Sequence, residues 1–176
     1  MTFQIVRAAD HRPVPWKNGG GTTVEIAVGP GWRASMARVE RDGPFSDFSG
    51  FDRILVLLEG PGFTLSFEDR DHILARPLEP FAFDGGAPCT ARIRGGPSLD
   101  WNWMVARDRW RGSVIRVDRP GMVAGRVLFA LAPAELAIGR ETVRLAKYDA
   151  LVAPERALGT LRSGGPLLVA DALERP

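Results

Sequence analysis

An all-β sandwich or barrel is the expected architecture of this 176-residue chain, on three grounds. Its 20 glycines and 14 prolines are spread along the whole length, which favours many turns and short elements over long helices. Apolar residues recur at period two within the short runs between them, the spacing of strands with one buried face. Hydrophobic residues make up 45% of the chain, enough to fill a core in one domain or in two small, closely joined halves.

In chain order, Thr22, Val24, Ile26 and Val28 read as one face of a strand, and Trp32, Ala34 and Met36 as one face of the next. Further strands are expected at 54–58, 63–67, 80–83, 90–94, 102–106, 113–117, 126–131, 142–145, 150–152 and 167–170, because each run is short and bounded by turn residues. Helical signals are weak. Residues 154–158, ahead of Gly159, and 45–48 are each expected to form a single turn. A loose repeat relates the stretch from Gly60 to Phe83 to that from Gly139 to Val152, hinting at two β-rolls. The expected division is an amino-terminal barrel over 1–105, carrying the pocket, and a smaller half over 106–176.

Charge excludes several functions. Lys+Arg (23) and Asp+Glu (21) are interspersed and leave a net +2, so no nucleic-acid-binding stripe is present. The one dense basic cluster, Arg107-Asp108-Arg109-Trp110-Arg111, reads as a solvated strand end. A single cysteine, Cys89, excludes an internal disulfide and a four-cysteine zinc site, and reads as a small core residue. The amino terminus lacks the pattern of a secretory signal and no apolar run is long enough to span a membrane, so a cytoplasmic location is expected.

The most informative stretch is Trp16-Lys17-Asn18-Gly19-Gly20-Gly21-Thr22-Thr23-Val24-Glu25-Ile26. Glycines there leave backbone amides uncovered for a carboxylate or phosphate, with Lys17 and Asn18 as directed donors. A tight turn feeding an edge strand explains the same residues equally well. The spacing is not that of a phosphate-binding P-loop, and no helix-forming run follows.

After that motif come Trp32-Arg33-Ala34-Ser35, the run from Asp42 to Arg53, Leu57-Leu58-Glu59-Gly60, Pro80-Phe81-Ala82-Phe83-Asp84-Gly85 and Asp100-Trp101-Asn102-Trp103-Met104. This ordered set resembles the HutD/Ves family, strongly over residues 3 to 110 and beyond that by length and strand rhythm. The resemblance implies an RmlC-like cupin barrel with two cupin-like halves, a bicupin. It also implies an accessory or regulatory role in bacterial histidine utilisation through a small acidic metabolite such as formylglutamate. No enzymatic activity is firmly attached to the family. Gly86 and Trp101 depart from the expected pattern, so no carboxylate role is carried to position 86.

Cupin enzymes commonly hold a divalent ion through a first motif of type His-x-His-x3–4-Glu-x6-Gly and one further histidine. Counting back from Gly60 places Arg53 at the glutamate position and Ser46 to Ser49 at the histidine positions, while Pro88 and Cys89 stand near the last. The only histidines, His11 and His72, read as exposed loop residues. No metal and no cofactor are therefore expected. A guanidinium in a barrel mouth must be paired, and its planar fork suits a carboxylate. The alternative is a ligand-free ion pair between Arg53 and Asp47, Asp52 or Glu25.

The expected ligand-binding set is Trp16, Lys17, Asn18, Arg53, Phe83 and Asn102. Phe48, Phe81, Trp101 and Trp103 are further candidates for the wall, although most aromatics at strand spacing are core. Asn102 alternates with Trp101 and Trp103, so it faces the other side of its strand and needs a partner there. The leading expectation is a metal-free pocket for a small acidic metabolite, with no nucleic acid or membrane partner and a homodimer left open. A rival is a small-molecule enzyme with Glu25 or Asp84 as general base and Lys17 as electrophile. A third reading is a non-catalytic interaction protein that meets its partner through Arg107 to Arg111.

Overall fold

The structure, a computed structural model, describes residues 2–176. It is all-β apart from one 3-10 turn at Ala8–Asp10. The strands are β1 (Gln4–Val6), β2 (Val14–Pro15), β3 (Gly21–Gly29), β4 (Trp32–Val39), β5 (Gly43–Pro44), β6 (Phe51–Glu59), β7 (Phe63–Phe67), β8 (Asp71–Leu74), β9 (Pro80–Asp84), β10 (Cys89–Ile93) and β11 (Ser98–Ala106). They continue with β12 (Trp110–Val117), β13 (Gly121–Ala130), β14 (Ala134–Ile138), β15 (Glu141–Leu145), β16 (Ala150–Gly164) and β17 (Leu167–Glu174). Among the described residues no helix is long and apolar enough to cross a membrane.

The chain divides into two compact units. One comprises Arg12–Trp110 with Arg175–Pro176. It holds a six-stranded sheet, β2-β3-β4-β11-β6-β9, and a four-stranded sheet, β5-β10-β7-β8. Every pairing in these two sheets is antiparallel. Alternation sends Leu55 and Leu57 of β6, Phe63 and Leu65 of β7, Phe83 of β9 and Ala91 of β10 into one shared core, as two sheets packed face to face require. Cys89 lies in that core, as expected of a small buried residue. Arg53 sits two residues before Leu55 on β6, so the register that buries the leucines turns the arginine to the same side.

The other unit comprises the chain up to His11 and Arg111–Glu174. Its sheet runs β12-β17-β13-β16-β14-β15, with β1 also paired to β16. Leu128, Leu136, Leu151, Leu161, Leu167 and Val169 are among its core residues. The first strand of the chain thus belongs with the carboxy-terminal sheet, joined through Ile5↔Leu151.

Three local expectations are corrected. Residues 154–158 do not form a helical turn; they lie within β16. The register there passes from Gly125↔Ala157 to Val127↔Val152, a bulge that accommodates Pro154 without a ladder donor. Arg126 spans it by donating from Nη1 to the Pro154 carbonyl and from Nε to Ala172 O. Residues 45–48 also form no helix, because Phe45 N donates to Cys89 O and Phe48 N to Gly85 O, which holds the segment against a neighbouring chain. On β3 the face expected of Thr22, Val24, Ile26 and Val28 is broken by a register shift between Glu25 and Ala27. That shift leaves Ile26 buried and Val28 60% exposed.

Candidate functional site

A cavity of about 530 Å³ lies in the Arg12–Trp110 unit. Its wall follows from strand parity. In the register of the six-stranded sheet Asn102 lies opposite Ser35, Asp100 opposite Ala37, and Met104 opposite Arg33 and Arg53. Directly opposed residues share a face, and Arg33, Ser35, Ala37, Arg53, Asp100 and Asn102 all line the cavity. Trp101 and Trp103 point the other way, are fully buried, and stack in parallel with centroids 6.2 Å apart. Trp16, Lys17, Asn18, Phe45 and Phe48 contribute further to the lining.

Arg53 is the centre of this arrangement. Its residue exposure is 6%, and its Cζ lies 5.3, 5.0 and 5.1 Å from the ring centroids of Phe45, Phe48 and Phe83. Aromatic faces attract a cation, more so when water is excluded. Arg53 Nε donates to Asn102 Oδ1 at 3.4 Å, and Asn102 Nδ2 donates to Ser35 Oγ at 3.4 Å. Both are long for such bonds, so the chain of donors is loosely held. Burial lowers the guanidinium to about 10, opposed by Asp100, and it remains a cation at neutral pH.

The ligand-free ion pairs considered for Arg53 do not form. Asp47 accepts from Ser49 N and Oγ, Asp52 pairs with Arg107, and Glu25 pairs with Arg33 at 3.0 Å. The charge that faces Arg53 is Asp100, a residue the sequence reading missed as a site group. Asp100 is 1% exposed, and its Oδ2 has no hydrogen-bond partner among the described residues. Burial pushes its carboxyl up to about 7, against the pull of Arg53. The parity that placed Asn102 in the pocket also places Asp100 there, since the two are two residues apart on β11.

Five of the six expected contacts, Trp16, Lys17, Asn18, Arg53 and Asn102, line one cavity. Phe83 does not line it, and instead stacks beside the guanidinium from the core. The two candidate general bases lie outside. Glu25 has a side chain 58% exposed and tied to Arg33, and Asp84 is half-exposed and bonded to Arg107 and Gly86 N. Arg107 therefore holds Asp84 below the usual carboxylate range. Phe81, Trp101 and Trp103 also fall outside the wall.

The glycine motif forms a tight turn. Gly19 N donates to Trp16 O and Gly20 N to Asn18 Oδ1, so two of its amides are already used. Gly21 is required for a different reason: a Cβ there would lie 2.1 Å from the Arg38 carbonyl oxygen. The turn's contribution is to present Trp16, whose Nε1 donates to Thr23 Oγ1 at 2.7 Å, together with Lys17 and Asn18 at the cavity. His72 is not in a turn; it lies on β8 and stacks on Phe81 with centroids 3.4 Å apart. Among the described residues no group of three or more His, Cys, Asp or Glu side chains is placed to hold a metal ion. The donor set therefore does not fit the ion carried by many cupin barrels.

The family model described as HutD matches residues 8–168. An uncharacterized 21.2 kDa protein in the hutC 3′ region of Pseudomonas putida is 35% identical over 162 residues, covering 85% of each chain. The solved structure of HutD from Pseudomonas fluorescens SBW25 is 27% identical, with a TM-score of 0.84, 99% of this chain and 100% of that chain covered. A cupin 2 conserved barrel domain protein from Leptotrichia buccalis is 9% identical with a TM-score of 0.58, over 92% of both chains. That last likeness concerns the fold alone, and makes it cupin-like.

Proposed function

The chain belongs to the HutD family, and from that premise we propose that it is a bicupin whose amino-terminal barrel binds a small carboxylate-bearing metabolite, in an accessory or regulatory role in histidine utilisation. Support for the pathway comes from the relative in the hutC 3′ region. The observation that carries the ligand class is a caged guanidinium, buried at 6% exposure in a cavity wall and, among the described residues, without a carboxylate ion-paired to its fork. A bidentate acid is the group that such a fork accommodates best. Lys17 and Asn18 add donors at the same cavity; Asn18 Oδ1 is held by Gly20 N, which leaves its Nδ2 to the ligand. Formylglutamate, with two carboxylates, is the example we favour.

The test is calorimetric titration of N-formylglutamate and glutarate into the wild-type protein and Arg53→Met. A charge-assisted bond contributes about 1.5–3 kcal/mol, so the variant should lose on the order of tenfold or more in affinity. Equal affinity in the two proteins sinks the proposal.

A further inference from the structure

The acid pocket contains one group that an acid alone leaves unsatisfied. Arg53, Arg33 and Lys17 present positive charge at the cavity, and Asn102 Nδ2 is engaged by Ser35. Against them stands Asp100, a buried carboxylate of the cavity lining whose Oδ2 has no hydrogen-bond partner among the described residues. Asp100 is on the cavity face by register, opposite Ala37 and two residues from Asn102, both of which line the same space. Buried polar atoms are nearly always partnered, and an orphan beside a cavity is a place where a ligand atom completes the set. We propose that Asp100 receives an N–H or O–H hydrogen of the bound molecule, so that the pocket selects acids carrying a donor close to the carboxylate, such as N-acyl amino acids and 2-hydroxy acids, over plain acids.

The chemistry is that of specificity by an otherwise unpaired group. A plain diacid would satisfy Arg53 and bring a second negative charge toward Asp100 with nothing between them. A molecule of the same length with a donor at C2 places a hydrogen between the two carboxylates. Sites that hydrogen-bond a substrate N–H or O–H reject the analogue lacking it, because the protein group is left bare.

This inference rests on the acid-pocket reading, and the experiment separates the two. Glutarate, 2-hydroxyglutarate and N-formylglutamate are titrated at pH 8 into wild-type protein, Asp100→Asn and Asp100→Ala. The donor-bearing acids are expected to bind at least about tenfold more tightly than glutarate to the wild type. In Asp100→Ala the preference should collapse, with glutarate gaining affinity as the opposing carboxylate is removed. Glutarate binding as well as the other two in the wild type overturns the inference, as does a preference that survives in Asp100→Ala. If none of the three acids binds, the acid-pocket reading itself falls. The wild-type comparison needs no variant to fold.

Discussion

Replacing Asp100 by asparagine should flatten a pH dependence of stability that the fold builds into the wild-type protein. Asp100 is wholly buried, and its carboxyl rises from 3.8 to about 7. The native state therefore binds this proton more tightly than the unfolded chain. Below about pH 4 both states hold the proton and the stabilisation is complete. As pH rises toward 7 the unfolded chain ionises while the native protein resists, and stability is lost; above about pH 7 both have ionised and the loss is complete. The rise from 3.8 to about 7 corresponds to on the order of 4 kcal/mol as an upper bound. The groups that set this environment are Arg53 directly, with Arg33 and Cys89 acting on Arg53. Arg53, at about 10, keeps its charge throughout that window.

The assay is urea unfolding of both proteins at pH 4.5, 6 and 8, taking the difference between them at each pH so that other titrating groups cancel. The wild type should weaken relative to Asp100→Asn by a few kcal/mol across the series, nearly all of it between the two ends. A difference that stays constant from pH 4.5 to 8 would refute the burial argument, and an opposite slope would show that Arg53 dominates over desolvation.

Three further outcomes are expected. Arg53→Met removes the attraction that now opposes burial at Asp100, so the Asp100 carboxyl should titrate above its wild-type midpoint in carbon-13 NMR; a midpoint that falls contradicts the pairing. Gly21→Ala should lower stability by roughly 1–3 kcal/mol in chemical unfolding, because the added Cβ meets the Arg38 carbonyl at 2.1 Å. An unchanged midpoint there would mean that β3 and β4 separate freely at their ends. Asp84→Asn should leave acid affinity within about twofold in calorimetry, since its exposed pairing with Arg107 lies outside the cavity; a large loss would bring Asp84 back into the site.

Much of the architecture was legible because strand signals are local. The run at 63–67 matches β7 at both ends, and 80–83 falls within β9, since turns and period-two alternation are written within a few residues. Strand parity is enough to put Asn102 on the opposite side from Trp101 and Trp103. Asp100 was passed over because the expected strand began at 102, whereas β11 begins at Ser98 and carries Asp100 on the same parity. Pro154 argued for a break where β16 runs on, because a bulge opposite Arg126 spares the missing donor. The glycines fitted open amides and a tight turn equally well, and neighbours within the turn have taken two of the amides.

What the sequence determined by itself was the all-β class, the strand spacing and the expectation that Arg53 lines a pocket. Each is a one-dimensional property, fixed by neighbours along the chain. Only the tertiary structure decided that Arg53 would lie within reach of three aromatic rings, and that Asp100 would share its cavity with an oxygen left bare. Desolvation and charge pairing depend on which distant strands stack face to face, and water is excluded only when they do.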